Sequence, residues 1–148
     1  FEGKGLEVEQ RDGNVYVSME NKLLFESGSW IVGNQGKSAI QELSKVLANN
    51  PDINVLIEGH TDNVPYEGDA KIEDNWDLST KRATEVLKLI LESSDINARR
   101  LTAAGRSKFL PVSKNDSKAG RAKNRRIEVV LSPKLSSLNN VIKNMDNE

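Results

Sequence analysis

The stretch from Ile57 to Ala83 holds the residues with most chemical potential. Gly59-His60-Thr61-Asp62 closes an apolar run, and Arg82 stands in what reads as the first turn of a helix. A carboxylate at a strand end and a guanidinium at a helix start make two complementary half-sites. Asp62 suits an ammonium group; Arg82, with the free N–H groups of a helix N-terminus, suits a carboxylate. Together they describe a clamp for a zwitterion such as an amino-acid end group. The same two residues would serve as well as a direct salt bridge tying strand to helix, and the residues leave both readings open.

Other chemistries find less support. His60 is the sole histidine and the chain has no cysteine, so zinc-type ligand sets and cysteine nucleophiles have little to work with. A hard-cation site on Asp69, Glu73 and Asp74 lacks calcium-loop spacing, and no metal or other cofactor is expected. No serine sits in an elbow context for a Ser-His-Asp triad. Paired carboxylates in the acidic loop keep a hydrolase as the alternative function. Five basic residues between Lys118 and Arg126 invite a nucleic-acid reading, but Phe109 is the lone aromatic of the basic segment and the pI is about 6.0. Nucleic acid is not an expected partner.

Charge is unevenly spread although the net charge is −1. Glu58 to Asp77 holds seven acids against Lys71, and Arg99 to Arg126 holds ten Lys/Arg against Asp116. Two solvated faces that attract one another would explain this, as would a site between them for a ligand of both charges. At 148 residues, 36% apolar and 29% charged, the chain suits one self-sufficient domain. No apolar run approaches the ~20 residues of a membrane helix. A start at Phe1, without a basic or apolar leader, is expected of a mature chain or an excised segment.

Several elements must position these residues. Leu6–Gln10 and Val15–Met19 alternate as strands around Asp12-Gly13, a hairpin signal. From Asn34 to Asn49, residues Ala39, Ile40, Leu43, Val46 and Leu47 share one helical face. Asn54–His60 reads as a central strand, its run Val55-Leu56-Ile57 suggesting cover on both faces. A second helix is expected over 79–93, with Ser79 as N-cap and with Ala83, Leu87, Ile90 and Leu91 on its apolar face. Arg82 falls outside that face. Strands over 101–105 and 127–131 flank a short helical segment at 118–123, and Pro133 would open a last helix with a stripe at Leu135, Leu138, Ile142 and Met145. The order predicts an α/β (α+β) two-layer sandwich, both main helices on a mixed sheet.

Four segments in this order, "LLFESGS" (23–29), "GHTD" (59–62), "NWDLSTKRA" (75–83) and "GRAKNRRIEVVL" (120–131), resemble the OmpA-like C-terminal domain family, as does "LTAAGRSKFLPV" (101–112). The longer loop at 63–74 resembles the MotB-like versions. The resemblance implies a βαβαβ-type fold over 15–132, with residues 1–14 as a lead-in and hairpin strand and 133–148 as a C-terminal amphipathic helix and tail. That last helix would cap the domain or meet a second copy in a homodimer.

It further implies non-covalent binding of peptidoglycan through the diaminopimelate end of the peptide stem, in a domain that is not an enzyme. Carried over residue by residue, Asp62 and Arg82 hold the end group. Thr61, Asn75 and Leu78 line the pocket, Phe25 and Glu26 border it, and Arg125 and Arg126 support it. Trp76 is expected to pack rather than touch ligand. The loop from Asn63 to Asp74 would be an exposed insertion, a cover for the pocket or a partner site. The expected location is the periplasm-facing cell envelope, with attachment to the outer membrane through a region outside this chain and no membrane embedding of this segment.

Overall fold

The computed structural model describes residues 6–26, 28–68, 70–133 and 145. Strands β1 (Leu6–Arg11) and β2 (Asn14–Glu20) form the expected hairpin. Asp12 and Gly13 both take positive φ, 53° and 81°, as a two-residue turn between twisted strands requires. A single turn α1 (Asn21–Leu24) leads to α2 (Asn34–Ala48) and β3 (Ile53–His60). Helix α3 (Asn75–Ser93), β4 (Leu101–Gly105), α4 (Lys118–Asn124) and β5 (Arg126–Pro133) complete the chain's described elements.

The five strands make one mixed sheet in the order β1-β2-β5-β3-β4, with β3 and β4 parallel and the other neighbours antiparallel. Val17, Met19, Val55, Ile57, Ile127 and Val129 point from the sheet into a core shared with Ile40, Leu43 and Leu47 of α2 and Ala83, Val86 and Ile90 of α3. The two-layer α/β expectation holds. The hairpin strand β1 belongs to this sheet through β2.

Local expectations need several corrections. Helix α3 begins four residues earlier than the sequence suggests. Asp74, not Ser79, is its N-cap, accepting a hydrogen bond from the Asp77 N–H at 2.9 Å. Its buried face centres on Ser79, Arg82, Ala83, Val86 and Ile90, which leaves Leu91 outward and draws Arg82 in. In α2 the face includes Gly36 and Ser44, and Val46 is exposed. Among the described residues, strand β3 is not covered by helices on both sides. Val55 and Ile57 are in the core, while Glu58 and His60 are buried on the opposite face in a polar cluster. Pro133 ends β5 opposite Ile53 rather than opening a helix, and the rest of the expected last helix, apart from Met145, lies outside the described residues.

A pair of glycines sets the height of α3 above the sheet. Gly59 on β3 lies beside Gly105 on β4. A Cβ on Gly59 would stand 2.0 Å from the Ser79 carbonyl oxygen, and one on Gly105 2.0 Å from Thr80 Oγ1. Without side chains there, the helix backbone rests directly on the strands just before Arg82. The Ser107 N–H donates to Ser79 Oγ at 3.1 Å and fastens the same spot.

Candidate functional site

Where β3 runs out, the chain turns sharply. The Thr61 N–H donates to the Ser107 carbonyl at 2.9 Å, and Thr61 Oγ1 donates to the Asp62 carbonyl at 2.8 Å. Asp62 Oδ1 accepts the Val64 N–H at 3.0 Å, an Asx-type turn that fixes the carboxylate. Asn75, the first residue of α3, holds the next part of the loop. Its Nδ2 donates to the Val64 carbonyl at 3.0 Å and its Oδ1 accepts the Tyr66 N–H at 3.0 Å.

These turns enclose a cavity of about 540 Å³. Asp62, Arg82, Thr61, Asn75, Leu78, Phe25, Glu26 and Arg125 all line it. So eight of the nine residues named from sequence meet in one place. Arg126 does not. As the first residue of β5 it faces the other side of the sheet, where its Nε donates to Glu128 Oε1 at 3.2 Å.

The charges inside the cavity are not paired as a direct Asp62–Arg82 bridge would have them. Asp62 Oδ2 receives Arg125 Nη1 at 2.6 Å. Arg82 is buried and donates from Nε to the Ser29 carbonyl at 2.9 Å, with its guanidinium carbon 5.3 Å from the centre of the Phe25 ring. Among the described residues no carboxylate pairs with it. Burial pushes Arg82 down to about 10, Tyr66 and Asp62 oppose that fall, and the like charge of Arg125 adds to it. It remains a cation at neutral pH.

Arg82 is the eighth residue of α3, about 10 Å along the axis from its start. The N-terminus of α3, where Asp74 accepts the Asp77 N–H, is therefore set apart from the Arg82 guanidinium.

The structure adds wall residues that the sequence reading did not single out: Asn21, Lys22, Val64, Tyr66 and Arg121. The first half of the 63–74 loop is thus a wall of the cavity. Asn21 is buried with both side-chain polar atoms unpartnered. Asn124, also unmarked from sequence, is fully buried and uses its whole amide. Oδ1 accepts the Val112 and Ser113 N–H groups, and Nδ2 donates to the Ser113 carbonyl and Asn115 Oδ1, at 2.8–3.0 Å. It anchors the 112–115 loop immediately before Arg125. A polar residue between a helix and a strand was the available signal.

Of the loop acids, Asp74 caps α3, Glu73 donates its backbone N–H to Asp77 Oδ2 at 3.0 Å, and Asp69 lies outside the described residues. Trp76 is half exposed and stacks on Phe109 with ring centroids 5.4 Å apart. Among the described residues no helix is long and apolar enough to cross a membrane.

Comparison with known proteins gives a consistent picture. The family model described as the OmpA family matches residues 24–125. Motility protein B of Bacillus subtilis is 32% identical over 129 residues, covering 87% of this chain and 49% of that protein. The chain thus spans about half the length of that relative. The cell wall anchor of the T6SS from Pseudomonas aeruginosa superposes with a TM-score of 0.80 at 33% identity, over 88% of this chain and 89% of the other. The periplasmic domain of Helicobacter pylori MotB gives a TM-score of 0.86 at 25% identity, over 99% and 90%.

Proposed function

The chain belongs to the OmpA family, and on that premise we propose that it is a non-covalent peptidoglycan-binding module that holds the diaminopimelate end group of a peptide stem. The observation that carries this reading is the presence in one cavity of Asp62 and a buried Arg82 that has no carboxylate partner among the described residues. Diaminopimelate ends in an amine and a carboxylate on one carbon. Arg82 takes the carboxylate, Asp62 the ammonium, and Arg125 holds Asp62 in place while adding positive charge. Thr61, Asn75, Leu78, Phe25 and Glu26 shape the walls.

The likeness to a cell wall anchor supports the role. The module grips the wall from the periplasm-facing side of a bacterial envelope, and another part of the longer protein supplies the attachment to a membrane. Charge-assisted hydrogen bonds contribute about 1.5–3 kcal/mol each, so single-site affinity is modest. Repeated stems let tethered copies rebind, which raises retention by about 10²–10⁴-fold.

The test is calorimetric titration with a stem peptide containing diaminopimelate beside its counterpart containing lysine, whose side chain ends in an amine alone. Weaker lysine-stem binding by about 10- to 150-fold, with the preference gone in Arg82→Ala, supports the clamp. Equal affinities, or no binding by the folded chain, overturn it. Release of soluble fragments from purified wall material would instead favour the envelope hydrolase.

A further inference from the structure

On the sheet face away from α3, β3 and β5 place Glu58 opposite Glu128 and His60 opposite Arg126. Gly59 abuts α3, so its neighbours Glu58 and His60 point the other way. His60 is 2% exposed, and neither ring nitrogen has a hydrogen-bond partner among the described residues. A buried, unpartnered imidazole calls for a physical reason. Its Nε2 lies 3.7 Å from Glu58 Oε1 and 3.6 Å from Glu128 Oε2. Both separations are too long for a hydrogen bond.

We propose that Glu58, His60 and Glu128 form a site for a divalent metal ion of the zinc class, with His60 Nε2, Glu58 Oε1 and Glu128 Oε2 as its ligands. Metal–ligand bonds of about 2.0–2.2 Å in tetrahedral geometry set neighbouring ligand atoms about 3.3–3.6 Å apart, close to the two His60–Glu separations here. The three ligand atoms lie within 4.8 Å of one another. The carboxylates are already oriented by their other oxygens. Glu58 Oε2 accepts Arg106 Nε at 2.8 Å and Nη2 at 2.7 Å, and Glu128 Oε1 accepts Arg126 Nε. Such outer bonds hold metal-binding carboxylates in place.

One imidazole and two carboxylates suit zinc better than calcium or magnesium, which prefer more oxygen ligands. Two guanidiniums already balance the two carboxylates, and His60 Nδ1 lacks the usual outer hydrogen bond, whose loss costs about 10–100-fold in affinity. Micromolar binding is therefore expected. The ion would bind β3 to β5 two residues before Asp62, and this site stands independently of the peptidoglycan reading.

Having one histidine and no cysteine makes the test unambiguous. Untagged, chelator-stripped chain is titrated with zinc chloride and with cobalt chloride, and the imidazole nitrogens are followed by ¹⁵N NMR. The expected result is one zinc per chain, a shift at His60 Nε2, a tetrahedral cobalt absorption band, and at least about 10-fold weaker binding in His60→Gln and Glu128→Gln. The wild-type NMR readout stands even if a variant fails to fold. Absence of zinc binding by the folded wild type, or binding that leaves the imidazole signals unmoved, overturns the proposal. So does a ring protonated on both nitrogens that zinc cannot displace, since the socket would then belong to a proton.

Discussion

Asp62 forms its ion pair with Arg125, at 2.6 Å, and leaves Arg82 in the same cavity without a carboxylate partner among the described residues. The strand-end acid is thus balanced from the residue just before β5, 63 positions along the chain, and not by α3 beside it. Arg82 is left as a buried cation with one backbone carbonyl and one aromatic face for company. Such an arrangement favours an incoming anion over the empty state.

Arg82 should therefore contribute little to folding. Arg82→Met removes a desolvated charge and one hydrogen bond, and its stability should lie within about 1 kcal/mol of wild type or above it. The sign of the pH dependence follows from burial. With Arg82 depressed to about 10 from its ordinary higher value, the unfolded chain binds more protons between the two, so wild type gains stability there as pH rises. The difference between wild type and Arg82→Met in urea melts should narrow above pH ~10. A loss above about 2 kcal/mol at neutral pH would make Arg82 structural.

The cavity walls carry Arg82, Arg125, Arg121 and Lys22 against Asp62 and Glu26. Stem binding should weaken severalfold from low salt to about 1 M, where the screening length is about 3 Å. Arg125→Ala should flatten that slope. A salt-independent affinity in wild type would point to recognition by shape instead.

Gly59→Ala places a methyl against the Ser79 carbonyl. Lifting α3 should cost about 1–3 kcal/mol and should also weaken stem binding, because Arg82 rides on that helix. Chemical denaturation with calorimetry on the same variant reads both. Unchanged binding would separate helix height from the site.

Asn124→Ala strips four hydrogen bonds from a fully buried position. A stability loss of about 1–3 kcal/mol is expected, along with weaker stem binding although Arg125 itself is retained. Wild-type affinity in a destabilised Asn124→Ala would show that Arg125 is positioned by other means.

Much of the architecture was legible in the chain. Asp12-Gly13 and its alternating flanks specify the first hairpin because turn chemistry and side-chain alternation act within a few residues. The helix at 34–48 and the strands at 53–60, 101–105 and 126–133 follow from equally local periodicity. The motifs that carry the family resemblance also named eight residues that share one cavity.

What is set by long-range geometry was not legible. The close approach of α3 to the sheet depends on Gly59 and Gly105 lying side by side, which only strand pairing arranges. Packing of α3 against the sheet buries Arg82, although helical spacing puts it off the apolar face. Arg125 and Arg126 look equivalent in sequence, yet Arg125, at the C-cap of α4, faces the cavity while Arg126, which opens β5, faces the other side of the sheet. Glu58 and Glu128 come together around His60 through the β3–β5 register alone. The sequence determined the elements and the residue types of the site, because backbone preference is local. Tertiary structure decided which charges meet, because register and helix placement are properties of the whole sheet.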